Sequence, residues 1–173
     1  KADQTILILT FFLTIFTDLV VAVNVGVVLA VLQFMRKMIE TVDVHEVSCK
    51  ELSEQIKHEI EIHPDIMVYT VEGPLFFGAI TAFERALNSI HKDPKYLFIR
   101  FGAVPFVDLT GLRILKGIIE ELQARNIEVL LSDINYDIRR EMYKSDFLDI
   151  LGRHHLYRRF ESALHKAEHD LSL

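Results

Sequence analysis

Polar and apolar residues are distributed very differently in the two parts of this chain. Residues 6 to 35 form an apolar run in which Asp18 is the one ionisable side chain, whereas charged residues occur throughout from Arg36 onward. An upright helix needs only about 20 apolar residues to cross the hydrocarbon core of a bilayer, so the run exceeds a single span. It predicts either one long tilted helix or, as we prefer, two helices broken near Thr17 and Asp18, with Asp18 capping the second.

The length of this run, a glycine within it and the basic residues that end it indicate how it is placed in a membrane. Two helices that share the run would each be about half a span long, so we expect them to pack inside a larger membrane domain. Gly26, inside the second helix, would let a neighbouring helix approach closely. Arg36 and Lys37 end the run, and basic residues beside a span mark the cytoplasmic side. Residues 1–37 are therefore predicted to lie in the inner or plasma membrane, with the rest in the cytoplasm.

Residues 38–64 are mixed and acidic. Leu52, Ile56 and Ile60 recur at helical spacing, and Pro64 would end such a helix. This stretch is predicted to be a linker with some helix.

Residues 65–173 alternate between strand and helix patterns. Strands are predicted over 66–72, 95–101 and 127–131, where β-branched and aromatic residues cluster. Apolar stripes at helical spacing predict helices between and after the strands. The stripes comprise Ile80, Phe83, Leu87 and Ile90; Leu112, Leu115, Ile118 or Ile119, and Leu122; Ile138 and Met142; and Phe160, Leu164, Ala167 and Leu171. The alternation predicts an α/β fold with a partly parallel sheet and packed helices, preceded by one or two transmembrane helices.

Composition excludes several classes of function. The net charge of −6 and the lack of a basic stripe with interleaved aromatics argue against a nucleic-acid partner. No glycine-rich phosphate loop and no serine–histidine pairing is legible, so we predict that the chain is not an enzyme and holds no cofactor. Cys49, the single cysteine, has no evident triad partner. The adjacent His154 and His155 do not converge as an i,i+4 pair does, so a solvated surface is predicted rather than a metal site.

The stretch VPFVDLTGLRIL, from Val104 to Leu115, is the most informative for chemistry. Asp108 and Thr110 suit the start of a helix, and Gly111 permits a tight entry. Exposed N–H groups and a hydroxyl at a helix N-terminus would stabilise an anion or a phosphate. A capped helix start is the simpler interpretation of the same residues.

Three stretches together resemble one family. VPFVDLTGLRIL is similar to the Asp-x-Ser/Thr-Gly loop of STAS domains, and GPLFFG, residues 73–78, resembles a segment of STAS domains attached to SulP permeases. FTDLVVAVNVGVVLAVLQFMRKM, residues 16–38, resembles the closing helices of the SulP membrane domain. The chain is thus identified as the C-terminal part of a SulP anion transporter, with membrane segments at 1–37, a linker at 38–64 and a cytosolic STAS domain at 65–173.

The resemblance implies a function and partners. SulP proteins are dimeric secondary transporters of sulfate, bicarbonate, dicarboxylates or similar anions, and this chain would form the regulatory and assembly end of one. The expected partners are the protein's own transmembrane domain, a second copy, the lipid bilayer and a cytosolic regulatory protein. Pro105, Phe106 and Val107 are the predicted contact surface for the membrane domain or such a protein.

Two alternatives remain from the same loop. In stand-alone anti-sigma-factor antagonists, the hydroxyl residue before the glycine is phosphorylated by a partner kinase, and Thr110 holds that position here. Leu109 stands where those antagonists often have serine, which departs from their pattern. A nucleotide-sensing STAS module, with its ligand at the helix that starts near Gly111, is the other alternative.

Overall fold

The structure, a computed structural model, describes residues 2–40, 42–48, 52, 62–76, 85–86 and 93–172. Over these residues we number six α-helices and four strands in chain order. They are α1 (Ala2–Phe16), α2 (Leu19–Glu40), β1 (Asp43–Glu46), β2 (Ile66–Glu72), β3 (Tyr96–Ala103), α3 (Leu109–Ala124), β4 (Glu128–Ser132), α4 (Tyr136–Lys144), α5 (Phe147–Leu151) and α6 (Phe160–Leu171), with a 3-10 turn at Arg153–His155. Two compact units result, Lys1–Thr41 and Val42–Leu173.

The apolar run folds as two helices that break at Thr17 and Asp18, as the sequence predicts. One carboxylate oxygen of Asp18 accepts a hydrogen bond from the N–H of Val20 at 3.4 Å. The expectation that both helices are half-length is wrong for α2, which has 22 residues. At 1.5 Å per residue it is about 33 Å long, and its segment Leu19–Met38 is long and apolar enough to cross a bilayer.

Small residues bring α1 and α2 together. A Cβ added at Gly26 would lie 2.9 Å from Cγ2 of Thr10, closer than real contacts allow, so the predicted close approach at this glycine is confirmed. Ala22, one turn earlier on the same face, is 2% exposed. Outward-facing side chains such as Phe16, Val20 and Phe34 are apolar and exposed, as expected of helices that face lipid or other membrane helices.

The sheet has the order β1-β2-β3-β4. Strand β2 pairs with β3 and β3 with β4 in parallel, and β1 runs antiparallel along the outer edge of β2. The three predicted strands are confirmed. Strand β1, however, lies inside residues 38–64, which were predicted to be a linker. Val44 of β1 packs on one face of the sheet, and Val47, the residue after the strand, packs on the other. Four residues are too few for an alternating pattern to be recognised in the sequence.

Helices cover both faces of the sheet. On one face, the buried residues of α3 pack against β3 and β4, and α4 and α5 extend this core. The stripe predicted for α3 is confirmed, because its buried residues include Leu112, Leu115, Ile118, Ile119 and Leu122. On the other face, Phe160 of α6 packs edge-to-face on Phe98 of β3, with ring centroids 5.4 Å apart. The predicted stripe from Ile80 to Ile90 lies outside the described residues, as do Ile56 and Ile60.

The segment after α4 was not predicted in detail. Helix α5 and the 3-10 turn follow directly, and His155 of this turn contacts Glu128 of β4. His155 Nε2 lies 3.0 Å from Oε1 of Glu128, and its Nδ1 contacts the carbonyl oxygen of Leu151. His155 is therefore half-buried and bonded rather than solvated, in contrast to the expectation; His154 is exposed, as expected.

Candidate functional site

The loop from Val104 to Asp108 lies at the carboxyl end of β3, where that strand leaves the sheet. It is held there by main-chain bonds to Leu75, just after β2. The N–H of Leu75 donates to the carbonyl of Phe106 at 3.1 Å, and the N–H of Asp108 donates to the carbonyl of Leu75 at 3.0 Å. Together these bonds form a short parallel bridge between Leu75 and Val107. The loop is thus fixed by main-chain bonds before any side chain contributes.

Asp108 caps the helix that follows this loop. Its Oδ1 accepts a hydrogen bond from the N–H of Gly111 at 2.6 Å, in the usual geometry of an aspartate N-cap. Gly111 is buried against the chain after β2, and a Cβ there would lie 2.5 Å from the carbonyl oxygen of Leu75. The glycine is therefore required by the close approach of α3 to the backbone, rather than by an unusual backbone angle.

Thr110 lies in the first turn of α3 and is exposed. Within the part of the chain that the structure describes, its hydroxyl has no hydrogen-bond partner. The cap is supplied by Asp108, so the threonine hydroxyl is not needed to complete the helix start. Its position leaves it accessible to solvent beside the positive end of the helix dipole.

The predicted contact residues differ in exposure. Pro105 is exposed, Val107 is half-buried against the core, and Phe106 is 46% exposed. The ring of Phe106 stacks on that of Phe76, with centroids 6.2 Å apart and planes 12° apart. Phe76 itself is 8% exposed, so it forms a buried support for the outer ring. Phe106 is therefore held at the surface in a defined position.

Asn135 supports this loop and was not singled out from the sequence. Its amide nitrogen donates to the carbonyl of Val104 at 3.0 Å and lies 3.3 Å from that of Pro105. Its amide oxygen caps α4 by accepting from the N–H of Ile138 at 2.9 Å. An asparagine three residues before the first apolar position of a helix is an N-cap signal, but the bonds to the loop depend on the tertiary structure.

A groove runs beside the loop, between the first turns of α3 and the junction of α4 and α5. One cavity of about 250 Å³ lies in it, and the residues that line this cavity are Leu109, Leu112, Arg113, Lys116, Lys144, Ser145, Asp146 and Phe147. A second cavity of about 210 Å³ shares several of these residues and reaches Asp108 and Glu141. Nζ of Lys144 lies 2.9 Å from Oε1 of Glu141, and this hydrogen bond lowers the pKa of the Glu141 carboxyl.

The residues predicted from the sequence for this site lie in and directly after the loop. Pro105, Phe106 and Thr110 are exposed, whereas Val107 and Asp108 are half-buried and Gly111 is buried. Within the described ranges, no group of three or more His, Cys, Asp or Glu side chains could hold a metal ion. The polar groups of the loop bond mainly to the backbone, where they fix its shape.

The four-stranded sheet, with α3 following the loop at the end of β3, defines the class as an α/β domain of the STAS type. The STAS-domain family profile matches residues 57–163, so the chain belongs to the STAS-domain family. Its homologues include sulfate transporters of the SulP kind.

Three comparisons place the chain among its relatives. It is 28% identical over 158 residues to YvdB of Bacillus subtilis (strain 168), a protein named as a sulfate transporter by inference. This match covers 91% of the chain and 29% of the length of YvdB. It is 32% identical to the STAS domain of a SulP transporter from Vibrio cholerae, with a TM-score of 0.60 over 71% of this chain and 98% of that domain. It also shares the fold of murine solute carrier 26 family member A9, an anion transporter in the inward-facing state, at 17% identity and a TM-score of 0.77, over 98% of this chain and 29% of that one.

Proposed function

We propose that this chain is the regulatory and assembly end of a secondary active anion transporter. The transported anion would be sulfate, bicarbonate or a dicarboxylate. The observation that carries the proposal is that α2, a helix long enough to cross a bilayer, ends at Glu40, and the STAS unit begins at Val42. A soluble signalling protein has no use for such a helix.

We further propose that the hairpin of α1 and α2 lies in the inner or plasma membrane and that the STAS unit is cytoplasmic. Arg36 and Lys37 lie near the end of α2, and basic residues there favour the cytoplasmic side. The exposed apolar side chains of both helices would be unfavourable in water and suit lipid or further membrane helices.

The chain would act on transport without holding the transported anion. Residues 6–35 contain no Arg, Lys or His that could bind an anion within the membrane. Its influence must then come from contacts that differ between the states of the transporter, because only such contacts shift a conformational equilibrium. The proposed partners are the transmembrane domain of the same protein, a second copy in a homodimer, and a cytosolic regulatory protein.

The surface formed by Pro105, Phe106 and Val107 is the proposed point of contact. Phe106 is an aromatic ring half exposed to solvent and held by stacking on Phe76. Aromatic side chains, phenylalanine among them, are enriched in the buried core of protein interfaces. An exposed ring also contributes little to the core, so its replacement should leave the domain folded.

The test is Phe106→Asp in the full-length protein, measured by transport into vesicles matched for protein amount. We expect the transport rate or the surface abundance to fall, with little change in the melting temperature of the STAS unit. Tyr143→Asp is the matched control, because Tyr143 is also an exposed aromatic, at 56%, but lies outside the loop. Unchanged transport with Phe106→Asp would refute the contact, and a collapsed melting temperature would assign Phe106 to the core instead.

A second candidate function is signalling by phosphorylation of Thr110. The observation in its favour is the exposed hydroxyl in the first turn of α3, which has no partner among the described residues. A phosphate there would be stabilised by the N-terminal end of the helix. Such a modification could regulate the transporter rather than replace its transport function.

A further inference from the structure

The chain segment between α5 and α6 runs along the outer edge of β4. Strand β4 is at one end of the described sheet, with β1 at the other. The N–H of Tyr157 donates to the carbonyl of Leu131 at 2.8 Å, beside a short parallel bridge. The contact of His155 with β4 fixes the start of the segment, and a hydrogen bond of 3.2 Å from the N–H of Phe160 to Oδ1 of Asp133 fixes its end. The segment is thus bonded at three points and follows one defined course.

This segment presents three arginines to solvent. Arg153, Arg158 and Arg159 are exposed, and no acidic residue lies between the first and the last of them. The apolar side chains of the segment point inward instead, since Leu156 packs on the core of one face of the sheet and Tyr157 on that of the other. None of the three arginines makes an ion pair with a residue that the structure describes. We call these three arginines the basic edge.

The basic edge is opposite in sign to the rest of the domain. Residues 1–41 contain three basic and three acidic side chains, so the net charge of −6 belongs entirely to the STAS unit, residues 42–173. The basic edge contributes three positive charges to that unit, so the remainder of the unit is still more negative. An anionic surface would therefore repel most of the STAS unit and attract this edge. The charge distribution thus favours a single orientation on such a surface.

The chain connection indicates which anionic surface is available. The STAS unit begins at Val42, directly after α2 ends at Glu40. If α2 crosses the bilayer, this short connection keeps phospholipid headgroups at a high effective concentration around the unit, whereas an acidic protein would have to arrive by diffusion. Anionic lipids of the cytoplasmic leaflet attract Lys and Arg close to the surface. The guanidinium group also matches phosphate oxygens with two parallel hydrogen bonds. These arguments favour lipid as the occupant.

We propose that the basic edge binds the headgroups of anionic phospholipids in the membrane that holds α1 and α2. This contact would hold the STAS unit in one orientation at the bilayer surface. The inference rests on the proposed membrane placement of the two helices, and it assigns a lipid-binding surface to the STAS unit itself. Each arginine close to an anionic bilayer should raise the ratio of bound to free STAS unit about fivefold, so the three together should raise it about 100-fold.

The test uses the full-length protein in nanodiscs of phosphatidylcholine, either alone or mixed with phosphatidylglycerol. Native cysteines are replaced by serine, and His154→Cys, at an exposed position between the arginines, carries a fluorophore. Quenching of this fluorophore by a lipid with a nitroxide on its headgroup reports contact with the bilayer. We expect strong quenching only with phosphatidylglycerol, and molar salt should abolish it by screening the exposed charges. Arg153→Gln with Arg158→Gln and Arg159→Gln should lower the bound-to-free ratio about 100-fold.

Arg113→Gln with Arg140→Gln and Lys144→Gln is the matched control, since it changes the net charge equally at exposed positions outside the basic edge. It should keep the quenching, and thermal melting should show that both triple variants are folded. Equal quenching without phosphatidylglycerol would overturn the proposal, as would quenching that survives loss of the three arginines or that the control loses equally. Lipid contact is measured without transport, so its failure is distinct from a failure of the Phe106 experiment.

Discussion

Gly111 and Gly117 lie in the same helix, α3, yet alanine should have opposite effects at the two positions. At Gly111 an added Cβ would lie 2.5 Å from the carbonyl oxygen and 3.0 Å from the carbonyl carbon of Leu75. These are backbone atoms, which cannot rotate away as a side chain can. At Gly117 no atom lies within 4 Å of the added Cβ.

The expected magnitudes follow from these two environments. Alanine is favoured over glycine in a helix by about 1 kcal/mol, and this gain should appear almost fully as stabilisation at Gly117. At Gly111 the overlap must move α3 away from Leu75, at a cost of about 1–3 kcal/mol for overpacking. The same movement weakens the bonds of Leu75 to Asp108 and Phe106, each with a net contribution of about 1 kcal/mol. After the helix-propensity gain of about 1 kcal/mol is subtracted, Gly111→Ala should destabilise the domain by about 2–4 kcal/mol.

The assay is urea unfolding of residues 42–173, the compact unit that holds the sheet. The free energy of unfolding is obtained by linear extrapolation, with the slope checked for each variant. Gly117→Ala should raise the unfolding midpoint, and Gly111→Ala should lower it. If the two variants shift the midpoint in the same direction, α3 does not approach the backbone of Leu75 in solution, and the described geometry of the loop would be refuted.

Two further predictions concern single side chains. Thr110→Val should change the free energy of unfolding by less than about 0.5 kcal/mol, because Asp108 supplies the helix cap and the hydroxyl has no described partner. A change in transport regulation or partner binding at unchanged stability would support the phosphorylation switch. Unchanged regulation would argue against it. Asp133→Ala should lower the free energy of unfolding, measured in urea, by about 2 kcal/mol. The Asp133 carboxylate pairs with Arg100 at 3.0 Å and accepts a hydrogen bond from the N–H of Phe160 at 3.2 Å, and the residue has a φ of 60°. Asparagine tolerates that φ, so Asp133→Asn should lower the free energy of unfolding by less than Asp133→Ala does. If the two variants lose the same free energy, the effect comes from the charge alone.

Periodicity and composition predicted much of the fold. The break of the apolar run at Asp18 could be predicted because a capping residue interrupts a run too long for one span. The three main strands and the buried stripe of α3 could be predicted because each signal extends over several residues of one element. The loop was recognised as a helix start because Asp108 precedes α3 at the spacing of an N-cap.

Other features depend on residues that meet only in the folded domain. Strand β1 is four residues long and exists because its backbone pairs with β2. The requirement for glycine at position 111 arises from Leu75, and Asn135 reaches the loop from 30 residues away. The groove beside the loop joins side chains of α3 with Lys144 at the end of α4. A local sequence pattern shows which face of a helix or strand is apolar. The contacts above depend instead on how separate elements pack, because only tertiary packing brings distant backbone and charged groups within bonding distance.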